Sequence, residues 1–186
     1  MITRSVIADL QSRFSSQLDD FAALFHRWNQ KINLSAARTI PEIREHVFDS
    51  LHVVPLLADS ARILDVGSGG GFPVLIAAIC LPTSEFVSLE PTHKKHAFLR
   101  TAARELGLKV DARAERLEAH QVKDYDAAMS RATFDIVEWM ERGAAMVRPG
   151  GVVIGFEAEV RADLLHVERH RYDHDGKSRA LVMRRT

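Results

Sequence analysis

Cysteine is almost missing: Cys80 is the only one in 186 residues, so no internal disulfide forms and no metal-ligand spacing exists. Long hydrophobic runs are missing too. No stretch approaches the ~20 consecutive apolar residues that span a bilayer, so no membrane partner is expected. Polar Thr3, Arg4 and Ser5 stand where a secretory leader would begin its apolar core, so no leader is expected and a reducing cytoplasm is the default compartment. Charge of one sign is not in excess, because 25 Lys and Arg balance 25 Asp and Glu. Bulk charge therefore makes no case for a nucleic-acid partner, and any basic patch must be local. What is present is ordinary for a globular chain: 46% hydrophobic and 27% charged residues, enough for one core.

Residues 1–58 read as helical. Phe21, Leu24, Phe25 and Trp28 recur at i, i+3, i+4 and i+7, one face of a helix for which Ser16 and Asp19 offer a cap. Asn33-Leu34-Ser35 interrupts the pattern. Thr39 with Glu42 three positions on, and Pro41 in the first turn, opens a second helix carrying Ile43, Val47 and Leu51. From Arg62 strands and helices alternate. Ile63–Val66, Glu85–Leu89, Val110–Arg113, Tyr125–Met129 and Val152–Phe156 read as strands. Between them lie helices over 74–79, 94–106 (Ala97, Phe98, Ala102 and Leu106 inward) and 134–147, the last closed by a turn at Arg148-Pro149-Gly150-Gly151. Strand-like Leu165–Tyr172 and Arg179–Met183 flank a hairpin signal at Asp175-Gly176. The expected fold is α/β: a mostly parallel Rossmann-like sheet over residues 59–186 with an antiparallel C-terminal hairpin, packed as one unit with an N-terminal helical extension over 1–58.

Chemistry enters at Asp65-Val-Gly-Ser-Gly-Gly-Gly-Phe-Pro. A strand turning sharply into a helix needs glycine for positive φ and for close approach of a ligand. In open α/β sheets ligands sit beyond the carboxyl ends of the strands. Glu90, 23 residues after Gly67, ends the next strand, where a carboxylate can accept both hydroxyls of a ribose. An adenosine-type ligand follows. Gly67, Gly69 and Gly71 run G-x-G-x-G, and Gly70 blurs the comparison with the G-x-G-x-x-G of nicotinamide sites. Asp65 favours S-adenosylmethionine, since its carboxylate suits a cationic sulfonium and amino group and repels a pyrophosphate.

Other residues are less decided. Glu115, after the third strand, reads either as an adenine contact together with the backbone at Ala114 or as an exposed loop acid. Arg131, after the fourth, points at the same rim or pairs with a nearby carboxylate. His46, Asp49 and Ser50 sit too close on one helix for an independently oriented triad, so a structural or RNA-facing role is expected. Cys80 lies in an apolar run and reads as a buried small hydrophobe, which disfavours a cysteine-dependent methylation of a pyrimidine. Lys94, Lys95, Arg100 and Arg104, with Arg169, Arg171, Arg179, Arg184 and Arg185, offer either phosphate contacts or a solvated face.

His26-Arg-Trp-Asn-Gln-Lys-Ile-Asn-Leu, His46-Val-Phe-Asp-Ser-Leu, the Asp65 stretch, Lys95-His-Ala-Phe-Leu-Arg and Ser130-Arg-Ala together, in this order, resemble the bacterial RsmG family, formerly glucose-inhibited division protein B. The resemblance runs from about Phe21 to the final strand. It implies a class I S-adenosylmethionine-dependent methyltransferase acting at N7 of a guanine in small-subunit (16S) ribosomal RNA, free or in a ribosomal particle; separately, no metal and a monomer are expected. Family cofactor contacts fall on Gly67, Phe72, Ala114, Glu115 and Arg131, and Glu90 matches the acidic strand end. Arg131 is the expected residue at the cofactor–base junction. Two departures stand out: Val74 replaces glycine in the family's Phe-Pro-Gly, and Glu157-Ala158 replaces Lys-Gly. The second is expected to put an acid at the active rim and weaken phosphate binding there. Guanine N7 has a free lone pair and no proton to lose, so direct in-line transfer needs no general base, only alignment. Two other readings stay open: a non-catalytic S-adenosylmethionine or RNA-binding relative, and a nicotinamide-dependent oxidoreductase.

Overall fold

The computed structural model describes residues 3–59, 61–174 and 176–186. Three helices come first, α1 (Arg4–Arg13), α2 (Ser15–Ile32) and α3 (Ile40–Leu51). Then follow β1 (Arg62–Val66), α4 (Val74–Cys80), β2 (Glu85–Leu89), α5 (His93–Glu105), β3 (Val110–Arg113), β4 (Tyr125–Ser130), α6 (Ile136–Ala144), β5 (Val147–Glu157), β6 (Glu168–His174) and β7 (Lys177–Arg185). The seven strands form one sheet in the order β3-β2-β1-β4-β5-β7-β6. β1 to β5 pair in parallel, and β7 runs antiparallel to both β5 and β6. The order reverses between β1 and β4, which opens a crevice beyond their carboxyl ends.

The central strands are buried on both faces, as parallel strands must be. Ile63, Ala127, Met129 and Ile154 point into a core shared with Phe21, Phe25, Ile43 and Phe98 of the helices. Leu64, Val66, Ala128 and Val153 point the other way, towards Trp139 and Met140 of α6. Trp139 is fully inside, and its indole N–H donates to the Ile154 carbonyl at 2.8 Å, so its one polar atom is satisfied. Thr39 and Glu42 form the full capping box of α3. Asn33 ends α2 in the left-handed conformation (φ 55°), and the Asn29 side chain, bonded to Ser35 and Ala37, fixes the break.

Several local expectations need correction. Ser16 does not cap: α2 begins at Ser15 directly after Phe14, with no side-chain cap, because α1 already runs up to it. Ala97 is exposed, since the inward stripe of α5 is Phe98, Leu99, Ala102 and Ala103. The helix expected over 134–147 is α6 alone, started by Asp135, whose side chain accepts from the Val137 N–H. Arg148–Gly151 lies within β5, which is irregular there: the pairing with β4 shifts register between Tyr125 and Ala127. β6 starts at Glu168, and Leu165 is left exposed. Asp175, half of the hairpin signal, lies outside the described residues.

Candidate functional site

The turn after β1 uses its glycines in two ways. A Cβ at Gly67 would sit 1.9 Å from the Thr133 Oγ1, at Gly70 2.6 Å from the Phe25 ring, and at Gly71 2.4 Å from Leu75. Those three glycines let the protein close on itself. Gly69 differs: at φ +54° its Cβ would meet nothing nearer than a carbonyl at 3.8 Å, so its open side faces outward. The turn's N–H groups are largely spoken for. Gly67 and Ser68 donate to the Leu89 carbonyl, Gly71 to the Ser68 carbonyl at 2.7 Å, and Gly69 to Glu90 Oε2 at 2.8 Å. A pyrophosphate cradle needs such groups free, so the turn is poorly built for a dinucleotide.

Glu90 is buried and its other oxygen accepts from the Thr92 N–H at 2.8 Å. It therefore fastens the turn to the end of β2. Each oxygen keeps a second lone pair for a ligand hydroxyl. Asp65 is 1% exposed, and neither of its carboxylate oxygens has a hydrogen-bond partner. Burial pushes its carboxyl up to about 7, against the pull of Ser68 and of Arg131, and Glu90 pushes the same way. A buried acid without partners is expensive as an anion.

The remaining expected residues divide. Ala114 is exposed just beyond β3. Glu115 is not a free loop acid: its Oε1 lies 2.6 Å from Nδ1 of fully buried His120, whose Nε2 meets the Tyr125 hydroxyl at 2.8 Å. The Phe72 ring is 6% exposed and sits between Phe21, Phe25 and His46, and Arg131 stacks over it at 5.3 Å. Its ring thus supports Arg131 and does not line an open rim. Val74 is fully buried at the start of α4, so its side chain fills core. Cys80 is buried and its thiol is pushed up to about 12 by burial, as an inert hydrophobe would be.

Arg131 does pair with a carboxylate, that of Asp49, at 3.1 Å. Asp49 is 1% exposed. Its Oδ2 accepts from Arg131, while its Oδ1 accepts from the Tyr172 hydroxyl at 2.8 Å and from Arg179 at 3.3 Å. Burial, reinforced by Asp49, pushes the Tyr172 hydroxyl up, which keeps it a donor. Burial pushes the His46 imidazole down, with Arg131 acting in the same direction. Ser50 donates only to the His46 carbonyl, so no hydrolytic triad exists. Sequence reasoning saw Asp49 without its role, and it treated Arg179 as one of many tail cations and Tyr172 as an ordinary strand residue. Nothing local marks them, because their partners are more than 120 positions away.

The acid expected at the rim is not there as a free charge. Glu157 is buried, and Arg169 binds both its oxygens, at 3.0 and 3.3 Å, while the Arg161 N–H donates to one of them. Its charge is paired inside the protein and is not the exposed acid that the sequence suggests. Several tail cations are committed likewise: Arg169 to Glu157, Arg179 to Asp49 and Arg184 to Glu141. Among the described residues no group of three or more His, Cys, Asp or Glu is placed to hold a metal. No described helix is long and apolar enough to cross a membrane.

Comparison with known proteins agrees with this architecture. A family profile described as rRNA small subunit methyltransferase G matches residues 15–184. The ribosomal RNA small subunit methyltransferase G of Geobacter metallireducens is 38% identical over 144 residues, 75% of this chain and 66% of that protein, just under two-thirds of its length. Its counterpart in Geobacter sulfurreducens is 32% identical and aligned over 94% of this chain and 92% of its own. Among solved structures, a T. thermophilus 16S rRNA methyltransferase in complex with AdoMet and guanosine superposes with a TM-score of 0.57 at 16% identity, over 75% of this chain and 42% of that one. At that identity the likeness speaks for the fold.

Proposed function

The chain belongs to the rRNA small subunit methyltransferase G family, and on that premise we propose that it transfers a methyl group from S-adenosylmethionine to N7 of a guanine in small-subunit ribosomal RNA. The observation that carries the cofactor reading is Asp65: a carboxylate fully enclosed beside the glycine turn with no partner of its own. A cationic ligand relieves that isolation, and a dinucleotide pyrophosphate does not. Glu90 has acceptor capacity left for a ribose, and Gly69 leaves backbone exposed for close approach. Ala114 and the backbone of Glu115 bound the adenine end, with His120 holding the Glu115 side chain in place.

S-adenosylmethionine supplies an electrophilic methyl carbon on a sulfur that leaves neutral. The protein's task is then alignment, worth about 7–11 kcal/mol in well-oriented systems. Arg131, clamped by Asp49 between the Phe72 and Phe156 rings, stands where the cofactor end of the site meets the next cavity. A lone pair on N7 attacks directly, so no side chain has to take a proton. An RNA substrate gives the chain a cytoplasmic place of work. We also propose a monomer, since among the described residues Val6, Val160 and Leu165 are the exposed large hydrophobics, too few for a broad subunit interface.

The test is a comparison of N7-methylguanosine in small-subunit rRNA from cells with and without the gene, repeated with purified protein, labelled S-adenosylmethionine and small-subunit particles. One guanine should lose its methyl group in the deletion and regain it in vitro. Unchanged methylation at every guanine refutes the substrate. Tight S-adenosylhomocysteine binding without any transfer would make the chain a binding relative.

A further inference from the structure

Next to Arg131 lies a cavity of about 300 Å³, bounded by His46, Asp49, Arg131, Phe156, Tyr172 and Arg179. That is the lower end of the roughly 300–1,000 Å³ usual for small-molecule sites. We propose that this cavity seats the acceptor guanine and that Arg179 is its specificity-determining residue, donating to O6 while leaving N7 free. The inference rests on the methyltransferase reading above and adds to it a seat and a selector for the base.

The two arginines on Asp49 are not equivalent. Arg131 is only 20% exposed and is stacked at 5.3 and 5.9 Å over two phenylalanine rings, so its guanidinium is fixed. Arg179 is 36% exposed and has one acceptor among the described residues, Asp49 at the longer distance of 3.3 Å. A guanidinium carries five N–H donors, so most of those on Arg179 have no protein partner. They lie on the wall of a cavity flanked by the half-buried aromatics Phe156 and Tyr172, whose rings are themselves fixed, Tyr172 by stacking on His52 at 3.9 Å and Phe156 beneath Arg131.

The acceptor's chemistry fits that wall. Guanine presents an oxygen acceptor at position 6, whereas adenine presents an amino donor there, which a guanidinium rejects. The usual bidentate grip of arginine on guanine uses both O6 and N7, and would cover the nucleophile. Asp49, itself held by the Tyr172 hydroxyl, prevents it by tethering Arg179 from one side, so that a single donor edge is offered. Asp49, which accepts from Arg131, Tyr172 and Arg179, acts as the positioning residue for both arginines.

The test is a chemical double-mutant cycle on the full chain. Small-subunit rRNA is transcribed with part of its guanosine replaced by inosine, which keeps O6, or by 2-aminopurine riboside, which lacks it, and methyl transfer from labelled S-adenosylmethionine is read at the target position. Wild type should accept inosine about as well as guanosine and 2-aminopurine about 10- to 100-fold less well, the loss of one charge-assisted hydrogen bond. In Arg179→Gln the rate on guanosine should fall and the guanosine-to-2-aminopurine ratio should drop about 10-fold relative to wild type, a comparison in which intrinsic nucleophilicity cancels between the two enzymes. If the glutamine variant does not bind S-adenosylhomocysteine like wild type, Arg179→Lys carries the same comparison with the charge opposite Asp49 retained, and an intermediate ratio is expected. Wild type that does not discriminate against 2-aminopurine, or a folded variant whose ratio is unchanged, overturns the inference and leaves the methyltransferase reading standing. No N7-methylguanosine from any small-subunit RNA overturns both.

Discussion

On one side of the candidate site, Asp65, the glycine turn and Glu90 come from a single strand–turn–helix–strand run, whose turn is tied to the second strand by bonds spanning only 21 to 22 residues. On the other, Asp49 is met by Arg131, Tyr172 and Arg179, which lie 82 to 130 positions further along the chain. The first side keeps an acid without a partner. The second gives its acid three partners. One leaves its buried acid unpaired, whereas the other satisfies its acid fully within the protein. On the proposed reading the difference teaches where selection acts: the cofactor side answers to charge, and the acceptor side to shape and hydrogen bonds.

Substitutions can break that contrast. The largest effect is expected from Asp49→Ala, which strands two arginines; breaking a buried pair costs about 3–5 kcal/mol, read as a lower denaturation midpoint together with loss of transfer. Asp65→Asn should act in the opposite direction on stability. In wild type the folded state retains the Asp65 proton between its ordinary 3.8 and about 7, where the unfolded chain has lost it, so stability falls as pH rises through that window. Arg131 and Glu90 are the charged groups that face it. The variant should therefore be more stable than wild type at pH 8 by about 2–4 kcal/mol, with little difference at pH 4, while binding S-adenosylmethionine at least tenfold more weakly. A variant no more stable at pH 8 would remove the strained acid from the account. For Glu157→Gln, loss of the charged partner of Arg169 should cost about 1–3 kcal/mol by thermal melting and leave RNA affinity nearly unchanged; a large gain in RNA binding would restore the repulsive-rim view. The smallest effect belongs to Gly69→Ala, about 1 kcal/mol for a left-handed backbone in open space, seen mainly as weaker S-adenosylhomocysteine binding. Gly67→Ala, which meets Thr133, should be far more damaging to folding.

The same contrast explains what could be read from the sequence. The central strands, the capping box at Thr39 and the glycine turn are written in neighbouring residues, and the observed sheet follows them. Short-range pattern also exposed Asp65 and Glu90. It misjudged Glu157, because the cation that neutralises it lies 12 residues on, beyond a loop. Glu115 was left undecided, since the deciding partner, His120, sits after a turn that carries no strand or helix periodicity. Tyr172 and Arg179 were invisible as site residues: in an alternating hairpin each looks like any outward polar position, and only the sheet order brings β6 and β7 against α3.

Asp49 has a consequence for how the molecule is made. It leaves the ribosome well before Arg131 and longer still before Tyr172 and Arg179, because synthesis proceeds from the N-terminus. In every nascent chain shorter than that, α3 carries an acid whose eventual neighbours do not yet exist, and it has to stay hydrated. Burying it is one of the late acts of folding, coupled to the arrival of β7. The cofactor turn can mature during translation, whereas the chamber beside it is assembled afterwards. A partly synthesised chain can thus own its glycine turn before it has the residues of β6 and β7 that line the neighbouring cavity.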